Sequence, residues 1–214
     1  MRRQKKLSIK LMISLIIICC TQAAFAENDN LNFAALSASK QLSTGHTLVV
    51  ATGNIHEQFK GKIAYIGVLK KLENNMVGSL GYFGYYPQNE KGDYTEDHRV
   101  RGSLAYTFKF DEWQLMHRSR VEYRMGQTPN GFRYRPAFEL SRKVSVLDTL
   151  LIPYVETETF YDFREDKITL SLLTVGIKWP INSQIIVKLA HFNIYLNNPS
   201  RHVSGPLLAL HIKL

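Results

Sequence analysis

The chain has 214 residues, with 27 Lys and Arg against 18 Asp and Glu, and aromatic residues make up 11% of it. Both cysteines and five of the basic residues precede residue 27, so the remaining 188 residues carry no thiol and a formal charge of +4 rather than +9. That excludes a disulfide scaffold and thiol chemistry, and it removes the basic pI as an argument for nucleic-acid binding.

The N-terminus has the layout of a secretory signal peptide over 1–26. Arg2, Arg3, Lys5, Lys6 and Lys10 form a positive n-region, and an apolar run from Leu11 to Cys20 follows. Ala24-Phe25-Ala26 is a small-residue cleavage site. An uncleaved anchor fits less well, because the apolar run is short for a spanning helix. The expected product is a single β-barrel domain over 27–214.

After the signal come about eleven strand-like runs separated by turn signals. They are 31–42, 46–57, 62–72, 76–86, 98–110, 112–125, 131–143, 150–163, 168–179, 183–196 and 203–214. Each slightly exceeds the roughly 9–11 residues that cross a bilayer at a tilt. Tight turns at Glu73-Asn74-Asn75, Asp111 and Pro180-Ile181-Asn182 alternate with longer loops at 87–96, 126–130, 164–167 and 197–201. Outer-membrane barrels show this asymmetry, with short periplasmic turns and longer outer loops. An odd count conflicts with the even counts of bacterial barrels. Either the N-terminal hairpin is misdivided or the first run is not an ordinary wall strand, and roughly 10–12 strands are expected.

The alternation within these runs sets the fold class. In Arg118-Ser119-Arg120-Val121-Glu122-Tyr123-Arg124 charges recur at every second position, which puts them on one face of a strand. Arg99 and Arg101 oppose Val100, Leu104 and Tyr106 in the run before it. Arg133, Arg135 and Glu139 oppose Phe132, Tyr134 and Phe138 in the run after it, and Glu156, Glu158 and Asp162 oppose Val155, Thr157, Thr159 and Tyr161 in the next. Such strands suit an all-β, antiparallel, up-and-down transmembrane barrel with a charged Arg/Glu lumen and an apolar exterior. As a meander they bring Arg118, Arg120, Arg124, Arg133 and Arg135 beside Glu122, Glu139, Glu156 and Glu158. Lys188 and His191 fall on opposite faces of their run, which leaves its orientation open.

Arg-x-Arg-x-Glu-x-Arg at 118–124, Arg-x-Arg at 133–135, and Pro153-Tyr154-Val155-Glu156-Thr157-Glu158-Thr159-Phe160-Tyr161-Asp162 carry a family resemblance. Together they resemble the bacterial family catalogued as domain of unknown function 2490, regarded as outer-membrane-like β-barrels with no assigned activity. The resemblance covers most of 30–214, and its diagnostic part is 113–163. It implies a barrel and names no substrate. Ala137 stands where a further alternating Arg would continue Arg133 and Arg135, the run 168–179 has neither Arg nor Asn, and the C-terminus lacks an aromatic residue.

The function expected from these features is an outer-membrane barrel, structural or a narrow pore, packed inside with ion pairs. Its expected partners are outer-membrane lipid, lipopolysaccharide and the barrel-assembly machinery, with no nucleic acid, cofactor or metal, and an undetermined oligomeric state. Catalysis in the lumen is not expected, because many arginines hold carboxylates ionised rather than poised as acids. Two alternatives stay open. His117 and Ser119 share an outward face, as in lipid-modifying barrel enzymes resembling the lipid A deacylases, although the orienting carboxylate is missing, since Glu122 points the other way. A soluble periplasmic ligand-binding barrel would instead need apolar inward and polar outward residues, opposite to 98–163.

Overall fold

The computed structural model describes residues 29–42, 45–126, 130–197 and 200–214. The expected signal peptide lies outside the described residues, as do parts of the turns expected at 43–45, 126–130 and 197–201. Twelve strands make up the fold: β1 (Asp29–Gln41), β2 (His46–Glu57), β3 (Gly61–Lys71), β4 (Met76–Pro87), β5 (Asp97–Phe110), β6 (Trp113–Gly126), β7 (Gly131–Arg142), β8 (Val144–Val146), β9 (Thr149–Asp162), β10 (Lys167–Pro180), β11 (Ile185–Asn197) and β12 (Ser200–Lys213). Eleven of them close a ring, in which each long strand pairs antiparallel with its neighbour and β12 pairs with β1. The twelfth, β8, resumes the direction of β7 after Lys143 and pairs with the first residues of β9.

The ring resolves the odd count. β1 is a full wall strand and the N-terminal hairpin is divided as expected, with β1 pairing to β2 from Leu31–Glu57 to Gln41–Thr47. What the alternation did not foresee is that β1 and β12 run parallel, in register from Asp29–Val203 to Ser39–Lys213. The sheet is thus antiparallel everywhere except at its seam. A parallel seam is the only closure for an odd number of alternating strands, because the first and last then point the same way.

The ring has two unlike ends. At one, here end A, lie the start of β1 and the connections after β2, β4, β6, β9 and β11. At the other, end B, lie the remaining turns, none longer than four residues, and the end of β12. End A holds the nine-residue connection 88–96, but β11 and β12 are paired up to Asn197–Ser200, so the longer loop expected at 197–201 is not there. Two of the end-B turns are two-residue hairpins with both central residues left-handed: Asn74 and Asn75 (φ 55° and 60°), and Leu147 and Asp148 (φ 47° and 61°). Primed turns suit the right-handed twist of a hairpin and favour Asn and Gly there. Leu147 is an ill-suited residue for that conformation, and it is almost wholly exposed, so no packing compensates. Leu147→Asn is therefore expected to raise stability by about 1 kcal/mol. Urea unfolding followed by tryptophan fluorescence checks it, and an unchanged midpoint would count against strain at this turn.

Around the middle of the wall the exterior is largely apolar. Leu36, Val50, Ile66, Leu80, Leu104, Val121, Phe138, Val155, Leu189 and Leu208 stand exposed around the wall. Toward end A the outward residues include Tyr86, Tyr123, Phe132, Tyr161, Phe163 and Tyr195, and toward end B Phe108, Phe110, Trp113 and Trp179. The lumen has three levels. Near end A it is packed with apolar side chains, of which Leu31, Phe192 and Val203 are buried and Phe33, Ile55, Leu172 and Leu207 lie against them. The waist is charged. Toward end B the lining is small and polar, with Ser79 and Ser103 hydrogen-bonded at 2.6 Å and His211 held between Ser37 (2.8 Å) and Ser39 (3.0 Å). The expected charged lumen is therefore correct for β5–β9, while in the end-A half of β1, β2, β11 and β12 the polarity is reversed, with Leu31, Phe33, Ile55, Phe192 and Val203 inward and Asn32, Asn54, His56, His191, Asn193 and His202 outward.

Candidate functional site

The site is built by register. Antiparallel pairing places Arg101 opposite Glu122, Glu122 opposite Arg133, and Arg120 opposite Arg135, all on the inward face. β9 adds Glu158 opposite Ala137, Glu156 opposite Glu139, and Asp162 opposite Arg133. Neighbouring residues on one strand show the polarity: Glu122 is 0% exposed and Val121 is 46% exposed. All eleven residues expected in the lumen, Arg99, Arg101, Arg118, Arg120, Glu122, Arg124, Arg133, Arg135, Glu139, Glu156 and Glu158, lie on this inward side.

Two glutamates organise the waist. Glu122 has four guanidinium groups within 4 Å: Arg135 at 3.0 Å, Arg99 at 3.6 Å, and Arg101 and Arg133 at 3.8 Å. Glu158 has three: Arg135 at 2.8 Å, Arg118 at 3.0 Å and Arg120 at 3.6 Å. Arg135 links the two, donating from Nη1 to Glu122 and from Nη2 to Glu158. Arg118 donates from Nη2 to both Glu156 (3.2 Å) and Glu158 (3.0 Å), although β7 lies between its strand and theirs. Ala137, fully buried, is the β7 residue opposite both Arg118 and Glu158. Its methyl group leaves room for that bridge, so the missing arginine of the alternation is what lets the network span three strands.

Several members escaped the sequence. Asp97 takes a forked pair of hydrogen bonds from Arg99 (3.1 and 2.7 Å) and a third from Arg124 (3.1 Å). It sits two residues before Arg99, so extending the same alternation by one residue would have found it. Asp162, which the alternation already sets on the face of Glu156 and Glu158, accepts from Arg133 at 3.2 Å. Glu139 is paired with no arginine; Lys178 donates to it at 2.5 and 2.7 Å. Lys188 faces inward, 4.6 Å from the Tyr154 ring centre, which settles the orientation of β11 and places His191 outside. Arg101 has no hydrogen-bonded carboxylate, and its guanidinium instead stacks 3.9 Å from the Phe83 ring centre. Arg135 stacks likewise, 3.9 Å from Phe160.

Charge density of this kind fits packing better than proton transfer. Each carboxylate here faces at least one cation within 4 Å, and arginine does not give up its proton in a protein. Cross-strand opposite charges contribute about 0.2–1 kcal/mol each, and buried forked pairs add geometric specificity. The outward pair is also formed: His117 Nε2 and Ser119 Oγ are 3.1 Å apart, and Ser119 is 3.0 Å from the Tyr134 hydroxyl. His117 Nδ1 is buried without a hydrogen-bond partner, and its ring lies 4.5 Å from Phe138. The position where a triad places its orienting acid is thus apolar.

No curated protein matches the chain. The family described as "Protein of unknown function (DUF2490)" matches residues 33–204, which includes the whole waist network. With most of its length and every strand of its ring inside or overlapping that match, the chain belongs to the DUF2490 family.

Proposed function

We propose that this chain is an outer-membrane barrel whose lumen is closed at the waist by its Arg/Glu network, a structural barrel or at most a narrow pore. One observation carries the reading: a fully buried Glu122 beside an outward, half-exposed Val121, repeated along β5–β9 as charge inside and apolar surface outside. Water-soluble barrels have the reverse polarity. Wall strands of 11–14 residues span a bilayer at a tilt, and aromatic residues at both ends match interfacial girdles. The one long connection, 88–96, lies at end A, which supports end B as the periplasmic side.

Val121→Arg tests this directly. At an exposed site of a soluble barrel the change is close to neutral, within about 0.5 kcal/mol. Near the midplane of a bilayer it costs about 2–4 kcal/mol. Folding into lipid vesicles against urea reads the difference, and a neutral result would end the membrane reading. Planar-bilayer recording of the refolded chain addresses closure; a large, unselective conductance would contradict a sealed waist.

A second reading, a lipid-modifying enzyme at His117 and Ser119, is favoured by their 3.1 Å hydrogen bond. The unpartnered Nδ1 opposes it. Mass spectrometry of lipid A from cells overproducing the chain or Ser119→Ala decides the matter: a modification present with the parent and lost with the variant would establish it.

A further inference from the structure

Above the waist, toward end A, the lumen holds an open-mouthed cavity of about 300 Å³. Its walls are apolar and come from both halves of the ring, among them Phe33, Ile63, Phe160, Leu172 and Ile194. Phe59, in the turn between β2 and β3, marks its mouth at end A. Arg99 and Arg135 are its only charged lining residues, so one boundary is cationic and the rest greasy. Arg135 is nine-tenths buried, and its Nε has no hydrogen-bond partner.

The charge beneath is unbalanced. Away from the rims, and among the described residues, the inward faces carry seven arginines (Arg99, Arg101, Arg118, Arg120, Arg124, Arg133 and Arg135) and two lysines (Lys178 and Lys188). Six carboxylates oppose them: Asp97, Glu122, Glu139, Glu156, Glu158 and Asp162. Three positive charges are in excess. A barrel that needed only internal packing gains nothing from that surplus, because each unmatched buried cation carries a desolvation cost. An anion placed on this floor reduces it.

We propose that the end-A half of the lumen is a binding site for a single-chain amphipathic anion, with its tail in the cavity and its carboxylate or equivalent head against Arg99 and Arg135. The volume sets the tail length. At the ~30 Å³ that a water-sized group occupies in a liquid, it holds about ten such groups. It falls at the lower end of the roughly 300–1,000 Å³ found for small-molecule pockets. A two-chain lipid does not fit. The site does not depend on where the barrel resides, since all of its walls are luminal.

Decanoate labelled with ¹³C at the carboxyl is the probe, titrated into the folded chain in nonionic detergent and followed by NMR. Saturable binding is expected at one decanoate per barrel, with 1-decanol and decylammonium at least tenfold weaker. Ile194→Trp fills the cavity from β11, where its cross-strand neighbours are Leu172 and Val203 and no member of the network, and is expected to weaken decanoate at least tenfold; Leu207→Phe is a milder filler should the first variant fail to fold. Equal binding of decanoate and decanol would show that the guanidinium floor plays no part and would overturn the proposal. So would unsaturable uptake, or binding unchanged in a folded cavity-filled variant, which would put the ligand in the micelle or on the outer wall.

Discussion

Glu122→Gln is expected to destabilise the barrel by about 3–5 kcal/mol, the range for removing one partner of a buried ionic cluster. The side chain keeps its shape and loses its charge, so packing is not the cause. Arg99 retains Asp97, Arg133 retains Asp162 and Arg135 retains Glu158. Arg101 retains nothing, because Glu122 is its one carboxylate within 4 Å. The sharper form of the prediction is therefore a rescue: adding Arg101→Leu to Glu122→Gln should recover part of the loss, since it removes the cation left without a counter-charge. Glu156→Gln should be milder, because Arg118 keeps Glu158 at 3.0 Å. Urea unfolding of the three variants, read through Trp113 and Trp179, measures all of this. A Glu122→Gln barrel as stable as the parent would mean that the network is passive filling.

Gly205→Ala is expected to prevent proper closure of the ring. A Cβ built on Gly205 would lie 1.6 Å from the backbone oxygen of Leu31, across the seam between β12 and β1. No side-chain movement relieves a clash with backbone, so one of the two strands must shift. The loss should reach the upper end of the roughly 1–3 kcal/mol seen for overpacked cores, or exceed it. Gly102→Ala is the control, since its added methyl group meets nothing closer than Ser79 O at 3.8 Å. Compact, heat-modifiable migration on cold gels should be retained by Gly102→Ala and lost or reduced by Gly205→Ala. Equal migration of both would show that the seam yields without cost.

The two predictions differ in how much of their basis is visible in the sequence. Glu122 was legible, because strands with one charged and one apolar face write their orientation into a period of two. The same signal located all the inward arginines of β5, β6 and β7. Over the end-A parts of β1, β2, β11 and β12 alternation persists with the opposite sense, since Phe33, Ile55, Phe192 and Ile194 point inward and Asn32, Asn54, His56 and Asn193 outward. A period of two says that the faces differ and not which face is the lumen, so carrying one sense over from β5–β9 misses this apolar lining. Asp97 was lost at a strand boundary, the least certain part of a periodicity. The role of Ala137 and the close approach at Gly205 depend on what stands on the next strand, and no single strand reports its neighbour.

The odd ring also separates the two ends of its wall. β1 begins at end A and β12 finishes at end B. In an even ring a short loop suffices to join first and last strands and move the chain break elsewhere. Here such a rearranged chain needs a linker reaching back along a 13-residue strand, about 40 Å at ~3.3 Å per residue. On the proposed membrane reading, epitopes fused to the start of β1 and to the end of β12 would report opposite faces of the bilayer. One doubly labelled chain, probed in intact cells and again after permeabilisation, therefore gives the sidedness of the barrel without reference to any loop.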